Sequence, residues 1–359
     1  MSCGQKQKEK TDYVIIDLGN TINKQGLKNF KLNDIAQSMR LIPIETNDAM
    51  LLPHVIIVDA TEENIIIHGG NVGTFKKAIY FINKMDGKIS SVINRYGDGP
   101  EEYRSIGDAH LNKRHNTLFL YDFNRRRINE YTFDGRFIGN IRNDSIGIFR
   151  ALPDGNLVVS YAPFVDTEFS LGIYDSSWNL KRRGLPKMRE KIKFDMIYFD
   201  AIVKFNEEYF YKLAHCDTLY RVTSEFEEPY LVHSKGKYKI PLDIKANLSK
   251  TERDGYKYIQ QDDGILISKY YFLTYYYDNK LYSEIWDIEN STLIYKSRYG
   301  RDGGIRGIPV VINEKKIYVW PTYVSIESLY CIIEREDAIN LIPSLPTDTN
   351  PIILEVKLK

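Results

Sequence analysis

A short turn segment recurs along the chain at a nearly constant step, and this repeat limits the fold more than any other feature. Met85-Asp86-Gly87-Lys88-Ile89 aligns with Phe133-Asp134-Gly135-Arg136-Phe137. Apolar residues then coincide at Tyr80 and Ile128, Met85 and Phe133, Ile89 and Phe137, and Ile93 and Ile141. Further echoes are Trp178-Asn179-Leu180-Lys181 (after Ile173-Tyr174), Phe226-Glu227 and Ile288-Glu289-Asn290. The turn positions 86, 134, 179, 227 and 290 are separated by 48, 45, 48 and 63 residues. One more step of similar size lands on Asp348-Thr349-Asn350, ahead of the strand-like run Ile352 to Leu358.

Between these turns lie short apolar runs rich in β-branched and aromatic residues, such as 54–58, 64–68, 77–82, 117–121, 157–161 and 316–320. Such runs read as half-buried strands. Asp-Gly pairs at Asp86-Gly87, Asp134-Gly135, Asp154-Gly155 and Asp263-Gly264 offer the positive-φ positions of tight hairpins. A repeat of about 40–50 residues holding about four strands is a propeller blade. Six copies predict an all-β, six-bladed β-propeller of four-stranded antiparallel blades. A helical solenoid is excluded because the helical period is nearly absent. Two stretches are exceptions. Residues 323–340 place Ile326, Leu329, Tyr330, Ile333 and Ala338 on one helical face, and 245–258 reads as a helix or loop that accounts for the longer, 63-residue step.

A free seam would leave strand edges unpaired, so strands from both termini are expected to close the ring. The run 352–358 is expected to join either Val14–Asp17 or Met39–Pro43. Residues 12–359 then form one domain, and residues 1–11 a flexible tether.

Composition excludes several functions. Among 359 residues, 49 Lys and Arg face 48 Asp and Glu, a net charge of +1. That balance lacks the basic footprint of nucleic-acid binding and gives no sign of an anionic membrane surface. No apolar run is long enough to span a bilayer. The three cysteines, Cys3, Cys216 and Cys331, cannot all pair within the chain, and Cys216 and Cys331 read as buried small hydrophobes. Met1-Ser2-Cys3-Gly4 and the polar run 5–10 resemble the start of a mature bacterial lipoprotein, with the lipid on Cys3. The expected location is the cell envelope, with the membrane reached only through that anchor.

Asn94-Arg95-Tyr96-Gly97-Asp98-Gly99-Pro100-Glu101-Glu102-Tyr103, followed by Ile106-Gly107-Asp108, resembles the Gly-x-Gly-Pro-x-Glu-Tyr signature of a six-bladed β-propeller family common among lipoproteins of gut anaerobic bacteria. Leu41 to Glu45, Leu120 to Asp122 with Phe133 to Gly135, Cys216 to Val222 and Asn350 to Lys359 are similar to its other blades and closing strand. Glu101 stands where the family often carries Gly. The resemblance implies a fold and an envelope location, and it implies no reaction.

Motifs for chemistry are sparse. Gly97-Asp98-Gly99-Pro100 is followed by no Gly-Lys-Ser/Thr and opens no helix, so it is a blade-to-blade turn and no phosphate cradle. Glu101-Glu102 and Asp262-Asp263 are adjacent and point apart on a strand, so neither supplies a glycosidase acid pair. His54, His68, His110, His115, His215 and His233 form no metal-ligand spacing. Neither a calcium loop nor a nucleophile elbow is present. No catalytic residue, metal ligand or cofactor is therefore assigned. Arg95, Glu102, Tyr103 and Arg125 are the candidate ligand-binding residues. Arg125-Arg126-Arg127 could clamp carboxylates or simply be solvated at a turn, and the tyrosines of 269–277 could stack on sugars or pack between blades.

The expected function is a non-catalytic propeller that binds a glycan, a peptide or an envelope protein. The competing expectation is a polysaccharide-degrading hydrolase or lyase. It would be favoured by paired carboxylates, or a Tyr with Arg or His, in one deep pocket.

Overall fold

The computed structural model describes residues 13–24, 26, 29–46, 50–70, 77–142, 144–161, 167–186, 200–205, 208–213 and 216–359. Cys3, the tether and His215 lie outside them. The Asp-Gly turns set the hairpins. Gly87, Gly135 and Gly155 adopt φ of 73°, 83° and 84°, a region that only glycine enters without strain. A Cβ at Gly87 would also collide with the Pro43 carbonyl oxygen, so the turn of one blade is locked against the strand of its neighbour.

Blade 1 is built from Val55–Ala60, Asn64–Gly70, Lys77–Asn83 and Ile89–Ile93, and blade 2 from Asp108–Asn112, Thr117–Asp122, Arg127–Thr132 and Phe137–Arg142. Blade 3 comprises Ile146–Ala151, Leu157–Tyr161, Phe169–Tyr174 and Leu180–Pro186. Each is an antiparallel meander in which chain order is spatial order. Blade 4 (Ala201–Phe205, Glu208–Lys212, Thr218–Val222, Glu227–Ser234) gains a fifth strand, because Val14–Asp17 runs parallel to its outer strand. Blade 5 (Gln260–Ile267, Tyr270–Tyr277, Lys280–Asp287, Thr292–Gly300) carries the short strand Gly303–Gly304 at its edge.

Blade 6 closes the ring with both ends of the chain. Pro321–Val324, Ser328–Ile333 and Ile352–Leu358 come from the C-terminal part, and Ala36–Pro43 is the outer strand. The outer pair is antiparallel, with Arg40 opposite Glu355 and Leu41 opposite Leu354. Of the two N-terminal runs expected to close the ring, the second does so; the first belongs to blade 4. First strands of successive blades neighbour one another, and that of blade 6 neighbours that of blade 1, so six blades surround one axis. The core lies between the blades. Ile66, Ile79 and Phe81 of blade 1, for example, pack on Leu111, Leu118 and Leu120 of blade 2.

Four sequence expectations need correction. Asp348–Asn350 is not a sixth copy of the repeated turn. In blades 1 to 5 that turn joins the third and fourth strands, and in blade 6 the termini stand there. Asn350 instead pins the opposite end, accepting from the Leu52 N–H at 2.7 Å and donating to the Glu45 carbonyl at 2.7 Å. Residues 323–340 are not one helix. Ser328–Ile333 is a central strand, so Leu329, Cys331 and Ile333 share one face at the strand period, and the helix is confined to Arg335–Leu341. Asp263-Gly264 is no turn but part of the inner strand of blade 5, where a Cβ at Gly264 would lie 2.3 Å from the Tyr271 ring. Two blades have five strands, not four.

The long 63-residue step holds short helices at Leu242–Lys245 and Leu248–Asp254, the second capped by Asn247, whose side chain accepts from the Lys250 N–H. A hairpin, Ile308–Ile312 with Lys315–Val319, sits between blades 5 and 6 in a shared apolar cluster.

Candidate functional site

The connections from first to second strand and from third to fourth strand open on the same face of the ring. There a cavity of about 830 Å³ is lined by turn residues and strand ends of blades 6, 1, 2 and 4. Thr61 and Glu62 come from blade 1, Lys113 and Asn116 from blade 2, Lys204 from blade 4, and Ser325 to Ser328 from blade 6. Apolar contributions come from Met39, Leu111, Phe133 and Ile326.

Its outer part is organised around Glu355, on the third strand of blade 6. Arg40 donates to Glu355 Oε2 from Nε at 3.0 Å and from Nη2 at 2.5 Å. The Tyr330 hydroxyl donates to Oε1 at 2.8 Å and accepts from Lys84 Nζ at 2.9 Å. Burial alone would raise the Glu355 carboxyl, but the bonds from Tyr330 and Arg40 hold it below the usual carboxylate range. Burial lowers the Lys84 ammonium below its ordinary value, and Glu355 offsets part of that loss. Lys357 pairs with Glu327 at the rim, at 2.8 Å.

Beneath the mouth, on the axis, a smaller cavity of about 240 Å³ shares Lys204 with the first and is walled by His110, Arg150, Tyr209, Tyr323 and Thr322. A third, of about 430 Å³ between blades 2 and 3, shares Leu111 and Lys113 with the mouth and His110 and Tyr209 with the axis. The three adjoin one another through these shared walls. Asp59 is its buried anchor: Oδ1 accepts from the Tyr323 hydroxyl at 2.6 Å and the Ala60 N–H at 2.8 Å, and Oδ2 lies 3.5 Å from His110 Nδ1. His110 Nε2 is 3.4 Å from the Tyr209 hydroxyl. Arg150 bonds to Asp108 at 2.5 Å, and this carboxylate outweighs burial to raise the guanidinium above its ordinary value.

A second buried polar network lies at the opposite face, between blades 4 and 5. Asp262 takes His233 Nδ1 at 2.5 Å and Lys235 at 2.9 Å, with Lys212 at 3.5 Å. Since a carboxylate accepts, His233 carries its proton on Nδ1, and Nε2 accepts from the Tyr271 hydroxyl at 2.9 Å. Burial would raise Asp262, yet Lys212, His233 and Lys235 hold it well below the carboxylate range.

The four residues singled out from the sequence converge on the blade 1 to blade 2 turn, on that opposite face. Tyr103 is fully buried and donates to the Lys77 carbonyl at 2.9 Å and the Ile93 carbonyl at 3.1 Å. Glu102 accepts from the Gly99 N–H at 2.6 Å; Arg125 donates to the carbonyls of Gly99, Glu102 and Gly97. Arg95 reaches the Gly135 carbonyl at 3.2 Å. None of the four lines the three cavities above. Cys216 and Cys331 are free thiols, and burial pushes Cys331 far above its usual range. Among the described residues no His, Cys, Asp and Glu cluster is arranged to hold a metal, and no helix is long and apolar enough to cross a membrane.

The lining residues Arg40, Lys84, Lys113, Lys204 and Tyr330, and the axial His110, Tyr209 and Tyr323, carry no motif. One signal does mark some of them. Once the repeat is in register, the first-to-second-strand turns of blades 1 and 2 can be counted back from their Asp-Gly turns, and Glu62 and Lys113 fall on them.

The buried His110 and His233 and the half-buried His68 make the fold acid-sensitive. Burial lowers His68 to about 4 and His110 to about 3, and lowers His233 as well. Each stays neutral when folded but binds a proton near pH 6.5 when unfolded. The unfolded chain therefore holds more protons below that pH, and stability falls as pH falls. Urea unfolding from pH 7.5 to 4.5 is expected to show a loss approaching about 1.4 kcal/mol per pH unit for each histidine. A flat profile would contradict neutral burial.

The family model described as a domain of unknown function, DUF4934, matches residues 13–357. The chain belongs to this family. The match takes in all six blades together with both closing strands, so the family's unit is the closed ring. No curated protein matches the chain. Among solved structures, a Bacteroides fragilis protein named as a candidate exported protein is 17% identical, covers 96% of this chain and 99% of its own, and superposes with a TM-score of 0.73. A DUF4221-family member from Bacteroides vulgatus is 12% identical, with coverage of 90% and 97% and a TM-score of 0.54. At these identities the likeness shows a shared fold.

Proposed function

We propose that this chain is a non-catalytic binding propeller of the bacterial cell envelope whose ligand enters the cleft at the channel mouth. The cleft carries the reading: about 830 Å³ is ligand-sized, and charged, hydroxyl and apolar groups from four blades converge on it. The test is retention of the full chain on an array of oligosaccharides and peptides, repeated with Ser38→Trp. Ser38 is an exposed strand residue on the rim, so tryptophan narrows the cleft and leaves the core alone. Binding is expected to weaken about tenfold or more with melting unchanged. Unchanged retention would move the ligand elsewhere.

The envelope location is supported by the lipoprotein-like residues around Cys3 and by the exported designation of the Bacteroides fragilis structure. Labelled palmitate fed to the native host is expected to mark the wild-type protein and not Cys3→Ala. Label on both, or on neither, would overturn the anchor.

A polysaccharide hydrolase or lyase is the second reading, favoured by His110, Tyr209, Tyr323 and Arg150 around the axial cavity. The 240 Å³ there is small for a sugar chain, and Asp59 and Asp108 already engage Tyr323 and Arg150. New chain ends released from an array-positive polysaccharide by wild type, and not by Tyr209→Phe, would establish this reading instead.

A further inference from the structure

We infer that the ligand of the mouth cleft is an acidic oligosaccharide, held through its carboxylate or sulfate groups; this rests on the binding role proposed above. Charge is the first argument. The whole chain carries a net +1, yet the cleft is lined by five cations, Arg40, Lys84, Lys113, Lys204 and Lys357, against Glu62, Glu327 and Glu355. At the outer end Arg40 and Lys84 share the single carboxylate of Glu355, at 2.5 and 3.7 Å, which leaves one positive charge in excess. The inner cation sits where water is scarce: the Lys84 side chain is 11% exposed and that of Glu355 9%, while Arg40, at 41%, reaches the rim. An incoming anion there gains more than it would at an open surface. Lys113, Lys204 and Glu62 line the channel end of the same cleft. The positively biased outer end suits a ligand that carries an acidic group.

Hydroxyl and amide side chains are the second argument. Ser38, Thr61, Asn116, Ser325 and Ser328 line the same cleft, and each both donates and accepts. Sugar hydroxyls have that same dual character. Phe133 and Ile326 offer apolar surface to the ring faces of a sugar. The combination fits an acidic sugar better than an acidic peptide, whose backbone would instead seek a strand edge.

The probe is an array carrying neutral, uronate-bearing and sulfated oligosaccharides beside acidic peptides, read with the full chain at low and high salt. Retention is expected on the acidic sugars and should fall several-fold as salt rises. Lys113→Glu, at an exposed turn position, is expected to weaken it about tenfold with melting unchanged. Neutral sugars retained equally well, and lost with Ser38→Trp, would overturn the acidic assignment and leave the binding role standing. Retention confined to acidic peptides would overturn the sugar. Retention of nothing would overturn both.

Discussion

Deleting Ile352–Lys359 is expected to abolish the native fold instead of trimming one edge. The strand Ile352–Leu358 is interior to blade 6, paired on one side with Ser328–Ile333 and on the other with Ala36–Pro43. Ile352, Ile353, Leu354 and Val356 are completely buried. At roughly 1.5–3 kcal/mol each, their burial is about 6–12 kcal/mol, comparable with the roughly 5–15 kcal/mol that keeps a whole domain folded. The loss also spreads. Ala36–Pro43 has no other strand partner among the described residues, and Glu355, which organises the outer cleft, goes with the deleted segment. The checks are calorimetry and near-ultraviolet circular dichroism. The deleted chain should show no cooperative transition, and a transition within a few degrees of the full chain would refute ring closure by this strand.

Most of the fold was readable because blades repeat and each turn has its own chemistry. Gly87 and Gly135 mark equivalent hairpins, and the apolar pairs around them mark equivalent strands. The repeat misled where the ring closes, since the termini replace the turn expected at Asp348–Asn350. A constant step continues past the last true copy unless something contradicts it. The period misled at 326–333, where Ile326, Leu329, Tyr330 and Ile333 satisfy helical spacing although Ile326 is exposed in a turn and Ser328–Ile333 is a buried strand. A strand buried on both faces carries little alternation. Two N-terminal runs, Val14–Asp17 and Met39–Pro43, suit the closing pair in sequence, and only the strand pairing distinguishes them.

The site was far less readable. Arg40, Lys84, Lys204 and Glu355 are 315 residues apart at the extremes and meet only because the ring closes. No local spacing encodes such a meeting. Sequence attention went instead to Arg95, Glu102, Tyr103 and Arg125, whose clustering around Gly97-Asp98-Gly99-Pro100 is conspicuous. In the structure Glu102 and Arg125 bond the backbone of that turn, while Tyr103 and Arg95 bond backbone carbonyls of Lys77, Ile93 and Gly135 outside it.

Asp262→Ala is expected to be the most damaging single side-chain change, at about 3–5 kcal/mol. It removes the carboxylate shared by His233, Lys235 and Lys212 and leaves buried cations without it. Lys235 is 6% exposed and is held above its ordinary pKa, because Asp262 and Asp217 outweigh the burial that would lower it. In the variant, Asp217 at 2.8 Å remains as one partner, and Lys212 keeps Asp263 at 3.8 Å. His233 loses the acceptor that fixes its tautomer, and with it the ordered bond from Tyr271. The double variant Asp262→Ala/Lys235→Met separates a charge effect from a packing effect. If the penalty is an uncompensated ammonium, the second change should restore at least about 1 kcal/mol relative to Asp262→Ala alone. Denaturant midpoints of the four proteins in this cycle give the coupling. The pH dependence adds an independent sign. Asp262 is depressed when folded, so its contribution is present above the ordinary carboxylate range and is lost as pH falls through its folded value. The gap between wild type and Asp262→Ala should therefore be full near neutrality and narrow below about pH 4. A gap that is independent of pH, with no rescue by Lys235→Met, would mean that Asp262 acts by shape alone.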